Sequence, residues 1–164
     1  MPGASPEDLI ARLEALGIQV STIRHPAVNT VEEARRHCAG LAGVHSKNLF
    51  FKDAGGKLWL VVVPDDRVLD LKTLHTRIGA KRLSFGPADK MQEALGVTPG
   101  SVTPFALIND REHVVSVVLD AWMMGQELLN FHPLVNTATA TIRAGDLLKF
   151  IRACGHEPAI VALD

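Results

Sequence analysis

The sequence predicts a mixed α/β (α+β) chain, built on a largely antiparallel β-sheet or partial barrel packed with short helices. Three observations point there. Helix caps and β-type runs alternate in the N-terminal part, two strongly apolar runs flank a glycine turn near the middle, and several strand patterns then follow in succession. Regular βαβ alternation, the mark of a parallel sheet, is absent.

Each element has a local reason. Ser5-Pro6-Glu7-Asp8 reads as an N-cap, a proline at the first helical position and acids in the first turn; Leu9, Ile10, Leu13 and Leu16 then share one face before Gly17. Residues 18–24 alternate as a strand, and His25-Pro26 ends it because the residue before proline is driven out of the α region. Thr30-Val31-Glu32-Glu33 is a second capping box, opening a short helix with Val31, Ala34 and Cys38 on its apolar side and Gly40 at its end. Residues 46–52 and 58–63 are β-type runs joined by Asp53-Ala54-Gly55-Gly56, a turn with the glycines a tight hairpin needs, and Pro64-Asp65-Asp66 closes the pair.

Asp70 is placed to cap a helix bearing Leu71, Leu74 and Ile78 and ending at Gly79; another helix, with Pro87 near its start, carries Met91 and Leu95 before Gly96. Residues 114–119 make a buried strand, with weaker strands at 128–131 and 138–142. A helix over 145–154, with Leu147, Leu148 and Ile151 on one face, stops at Gly155, and a last strand covers 159–163.

The length of 164 residues and the 47% apolar content suit one domain with a core that needs neither metal nor disulfide. Cys38 and Cys154 fall on apolar helix registers and are expected to be small core residues in a reducing compartment. The N-terminal segment from Met1 to Pro6 lacks a basic stretch followed by an apolar one, and no apolar run approaches the roughly 20 residues of a membrane span. A soluble cytoplasmic protein is expected, without a membrane partner. The net charge of −1 argues against polyanion binding by the chain as a whole. Lys72, Arg77, Lys81 and Arg82, with no acid among them, form either a local phosphate footprint or a solvated face.

Several chemistries lack their parts. There is no Gly-x-Gly-x-x-Gly after a strand, no Walker loop, no Cys-x-x-Cys, no His-Glu-x-x-His and no nucleophile elbow, and the seven histidines have no metal-ligand spacing. No cofactor and no metal are expected. What remains are backbone-shaping motifs. Lys47 and Asn48 stand where a strand begins, either as a surface lysine and its neighbour or as polar groups facing a ligand. Gly100, Ser101, Val102, Thr103 and Pro104 form a loop whose glycine lets the main chain approach a ligand and whose amides can point at an oxyanion. His132-Pro133 breaks a strand ahead of Asn136-Thr137, and His132 is a general base, a pocket wall or simply exposed.

These motifs, in this order and rough spacing over nearly the whole chain, resemble the YbaK-like family of prolyl-tRNA synthetase editing domains. Within it the sequence is most similar to the free-standing deacylases that remove alanine from proline tRNA, and the lack of synthetase domains fits action in trans. The resemblance implies a YbaK-like fold and a hydrolase that edits mischarged tRNA(Pro), with the acceptor end as partner. A prolyl-tRNA synthetase as the source of that tRNA stays open, and a monomer is expected. It places Lys47 at the tRNA end, beside Asn48, and the Gly100, Ser101, Val102, Thr103 and Pro104 loop at the ester carbonyl. It puts His132, with Pro133, at the amino-acid pocket. On charge alone, Lys81 and Arg82 are added for the acceptor stem. No enzyme nucleophile is needed, because an aminoacyl ester is already activated and a positioned water with an oxyanion hole suffices. Alternatives are a cysteinyl-tRNA(Pro) deacylase of the same fold and a non-catalytic tRNA-binding or other nucleic-acid-binding module.

Overall fold

The computed structural model describes residues 3–38 and 40–164, and the side chain of Val31 lies outside the description, as do Met1 and Pro2. Helix α1 (Pro6–Ala15) forms as its first residues dictate. The Ser5 hydroxyl accepts the Asp8 amide at 3.0 Å, and the Asp8 carboxylate accepts the Ser5 amide at 2.9 Å. Strand β1 (Ser21–Arg24) is shorter than predicted, because only these residues pair with a neighbour; Ile18 instead buries its side chain in the core. In α2 (Val31–Cys38) the Thr30 hydroxyl accepts the Glu33 amide at 3.1 Å, but the Glu33 carboxylate reaches one residue further back, to the Asn29 amide at 3.0 Å.

Strands β2 (Val44–Asp53) and β3 (Leu58–Pro64) are the predicted hairpin. Asp53 holds its turn, accepting the amides of Gly55 and Lys57 at 2.9 Å each and the Trp59 indole N–H at 3.1 Å. The apolar run of β3 is continuous because both faces are covered. Leu60 and Val62 join one hydrophobic cluster, while Trp59, Val61 and Val63 join another.

Helix α3 (Leu74–Ile78) starts a turn later than the sequence suggests. Asp70 heads a separate turn, its side chain accepting the Lys72 amide at 3.0 Å, and Leu71 is left 39% exposed instead of on a buried helix face. Strand β4 (Leu83–Phe85), the 3₁₀ helix η1 (Pro104–Asn109) and α5 (Ala121–Met124) are short elements that periodicity does not reveal. Helix α4 (Ala88–Leu95), β5 (Val115–Asp120), β6 (Leu128–Phe131), β7 (Ala138–Arg143), α6 (Ala144–Ala153) and β8 (Ala159–Val161) fall close to their predicted positions.

The eight strands run in the order β1-β7-β6-β2-β3-β5-β8, with β4 attached to β2. The sheet is mixed: β1–β7, β6–β7, β2–β3 and β2–β4 are antiparallel, whereas β2–β6, β3–β5 and β5–β8 are parallel. Phe105, Phe131 and Phe150 meet edge to face in the larger core cluster. Both cysteines are free, Cys38 buried and Cys154 partly so, and burial pushes the Cys154 thiol up to about 11. Among the described residues no helix is long and apolar enough to cross a membrane.

Candidate active site

One pairing detail creates the site. Opposite the edge that β3 occupies, β2 has β6 beside Val44 and His45 and β4 beside Phe51 to Asp53. Between them, Lys47, Asn48 and Leu49 have no strand alongside among the described residues. Side chains from both faces of β2 therefore reach one opening, a cavity of about 240 Å³ lined by Lys47, Asn48, Gly100, Val102 and His132, with Val28 and Asn29 from the loop before α2. A second cavity, of about 40 Å³, shares Ala34, Ser46, Asn48 and His132 with the first and runs inward to Phe131 and Thr139.

β2 comes this close to β6 because residue 43 is glycine. It sits at φ +96°, and a β-carbon there would stand 2.7 Å from the Leu128 carbonyl oxygen. Asn130 then locks the two strands, its amide donating to the Ala42 carbonyl at 3.0 Å while its side-chain oxygen accepts the Thr141 hydroxyl at 2.5 Å.

The Gly100 loop approaches from the other side. Gly100 lies at φ +96°, and no described residue accepts its amide. The Ser101 amide is already spent on the Thr98 carbonyl at 3.0 Å, and the Thr103 hydroxyl caps η1 by accepting the Phe105 amide at 3.3 Å. Ser101, Thr103 and Pro104 are buried behind the loop and, like Pro133, line neither cavity. Gly100 and Val102 face it.

His132 is fixed by one bond: its Nδ1 lies 3.3 Å from the Ala138 carbonyl, which can only accept, so Nδ1 carries the hydrogen. Burial, with the nearby His25 adding to it, holds its pKa below the ordinary value of 6.5. The ring is neutral at neutral pH, and Nε2 is an acceptor. A linkage follows. The unfolded chain takes up a proton on this imidazole near pH 6.5, whereas the folded chain does so only at a lower pH, so this contribution to stability is complete above 6.5 and lost as pH falls through the lowered value. Urea midpoints measured at about pH 7.5 and pH 5.5 are expected to differ less for His132→Gln than for the wild type; an unchanged difference would show that another group carries the effect.

The basic residues stand elsewhere. Lys81 and Arg82 sit by the hairpin turn, where the Lys81 amide meets Asp53 and the Arg82 carbonyl accepts the Ala54 amide. That is about 20 Å along β2 from Lys47, at roughly 3.4 Å per residue. Arg77 is occupied, donating to the Ala162 and Asp164 carbonyls at 2.7 and 3.1 Å. Asn29, Ser46, Asn130 and Thr139 also line the cavities, although the sequence reading gave them no individual role. Asn130 carried a signal, a polar residue interrupting an apolar strand; Asn29 and Thr139 reach the site only through tertiary packing.

A neutral imidazole, a lysine and a glycine amide without an acceptor among the described residues thus meet at one cavity that adjoins a smaller one. The family model for the aminoacyl-tRNA editing domain matches residues 25–150. The chain is 40% identical to prolyl-tRNA synthetase associated domain-containing protein 1 of Danio rerio, over 98% of this chain and 90% of that protein. It is 38% identical to the prolyl-tRNA editing protein ProX of Acetoanaerobium sticklandii, over 90% and 91% of the two chains. The crystal structure of hypothetical protein APE2540 superposes with a TM-score of 0.72 at 21% identity, covering 93% of this chain and 97% of that one, which shows the shared fold. With the site lying inside the matched segment, the chain belongs to the YbaK/ProX-like family of aminoacyl-tRNA editing domains.

Proposed function

We propose that this protein is an aminoacyl-tRNA deacylase that hydrolyses alanine mischarged onto tRNA(Pro), acting in trans. The observation that carries the reading is the meeting of Lys47, Gly100 and His132, far apart in sequence, on the wall of one cavity that opens into a smaller chamber. The outer cavity takes the terminal ribose and adenosine, with Lys47 as a point charge on the tRNA side and Asn48 next to it. The ester carbonyl lies against the Gly100 and Val102 amides, which stabilise the oxyanion as water attacks. Ser101, Thr103, Pro104 and Pro133 act behind them, holding the loops in place. His132 closes the inner chamber as a neutral wall.

Size supports alanine. A single water needs roughly 10–15 Å³ of such volume, so a chamber of about 40 Å³ has room for about three heavy-atom groups. The Cα, Cβ and nitrogen of alanine fill it, and the proline ring does not fit. Excluding the larger cognate side chain is the second sieve by which editing sites complement a synthetase pocket that cannot reject something smaller. Lys81 and Arg82 are the candidates for contact with the acceptor stem.

The test is hydrolysis of alanyl-, cysteinyl- and seryl-tRNA(Pro) by the wild type and by Lys47→Ala. Alanine release is expected to be fastest with the wild type and to fall roughly 10- to 100-fold in the variant, the worth of one charge-assisted contact. Faster cysteine release would assign the cysteinyl substrate, and no hydrolysis of any of the three would leave only a tRNA-binding module.

A further inference from the structure

Hydrogen placement around the inner chamber can be worked out from the backbone carbonyls that touch it, since a carbonyl only accepts. The Asn130 carbonyl lies 2.8 Å from the Ser46 hydroxyl, so that hydroxyl donates there and its oxygen is left to accept. The group facing it at 3.3 Å must be a donor, which makes it the Asn48 NH₂ and turns Asn48 Oδ1 to the opposite side. That oxygen is buried and has no partner among the described residues. The Pro26 carbonyl, 2.8 Å from His25 Nδ1, puts the hydrogen of His25 on that nitrogen, so His25 Nε2 accepts the Thr139 hydroxyl at 2.8 Å. Thr139 is thereby a donor to His25 and keeps lone pairs for the Cys38 thiol, at 3.4 Å, and for the chamber it lines. By the same logic the Ala138 carbonyl leaves His132 Nε2 an acceptor.

Three separate carbonyls thus leave acceptor positions on the wall at Asn48 Oδ1, His132 Nε2 and Thr139 Oγ1. A buried acceptor without a donor costs about 1–3 kcal/mol; Asn48 Oδ1 is one, and a wall that adds two further acceptors suits a group rich in donors. We infer that the inner chamber is a receptor for the primary α-ammonium group of the aminoacyl ester, the three acceptors taking its three N–H bonds. The assignment rests on the ester-hydrolase reading above and adds a second criterion to size. Alanine offers three N–H donors, whereas the secondary ammonium of proline offers two, so the cognate ester is disfavoured by donor count as well as by its ring. Asp65, also on the chamber wall, is paired with Arg35 at 2.9 and 3.2 Å.

The test compares alanyl-tRNA(Pro) with lactyl-tRNA(Pro), in which a hydroxyl replaces the ammonium at nearly the same size. Each enzymatic rate is divided by that ester's own rate of hydrolysis in buffer, because the ammonium also activates the ester. Alanyl ester is expected to be preferred roughly 100-fold after this correction. Asn48→Leu and Thr139→Val are each expected to shrink that preference about tenfold. A merely structural role for either residue would slow both esters equally and leave the preference intact. Equal corrected rates for the two esters in the wild type would overturn the ammonium receptor while leaving the hydrolase. Hydrolysis of neither would overturn the hydrolase reading and the receptor with it.

Discussion

Gly100→Val is expected to lower the single-turnover rate of alanyl-tRNA(Pro) deacylation roughly 100- to 1,000-fold, the loss seen when one oxyanion donor is removed. Two effects add. At φ +96° a side chain is strained, and a β-branched one most of all. The new β-carbon would also stand 3.2 Å from Asn29 Oδ1 and 3.6 Å from Asn136 Nδ2. Those two groups are hydrogen-bonded at 3.2 Å, and Asn136 also donates to the Val28 carbonyl at 2.9 Å, so they cannot both move aside without disturbing the loop that lines the cavity. The Gly100 amide shifts instead, and a displacement of about 1 Å at a reacting centre is enough to cost about two orders of magnitude. Gly100→Ala, with less bulk, should cost less. Far-UV circular dichroism should be unchanged in both, and a wild-type rate in Gly100→Val would remove the loop amides from the mechanism.

Asp120→Ala is expected to destabilise the fold by about 3–5 kcal/mol, read as a lower urea midpoint at unchanged slope. Asp120 is 1% exposed and ends β5. Its carboxylate accepts Arg67 at 2.7 Å, the Met123 amide at 3.0 Å and the Leu163 amide at 3.2 Å. One side chain therefore caps α5, ties down the chain after β8 and neutralises an arginine that is itself only 16% exposed. Removing it strands that charge and orphans two amides. The double variant Asp120→Ala with Arg67→Leu should recover part of the loss, because no buried charge is then left alone. If the single variant cost under about 1 kcal/mol, the pair would be behaving like a surface salt bridge.

The two predictions touch different parts of the molecule, which separates activity from folding. Gly100 lies in the loop facing β2, while Asp120 lies on the other side of β3, at the C-terminal end of β5. Asp120→Ala is thus expected to change stability without changing the relative rates on alanyl and cysteinyl esters under conditions where the variant stays folded.

Much of the fold was legible locally. The Ser5 capping box, the Asp53 turn and the glycines after α3 and α4 act within a few residues, and each produced the predicted element. Where an element's existence depended on a distant partner, the local pattern misled. Asp70 caps a turn and not the helix, β1 begins only where β7 meets it, and β4 exists because β2 offers it an edge.

The same division runs through the site. The sequence by itself determined the chemistry on offer: a lysine beside an asparagine, a glycine-proline loop, a histidine before a proline, and the order that marks the family. Only the tertiary structure decided where they stand. Lys47 is not at a strand's entrance but inside β2, three residues past Val44, where the end of β6 and the start of β4 leave a gap. That gap turns a strand, which should send Lys47 and Asn48 to opposite faces, into a wall from which both reach one cavity. The directions of the Asn48 amide and the His132 ring were likewise invisible in the sequence, because each is set by a backbone carbonyl, of Asn130 and of Ala138, brought in by pairing across the sheet or by a turn.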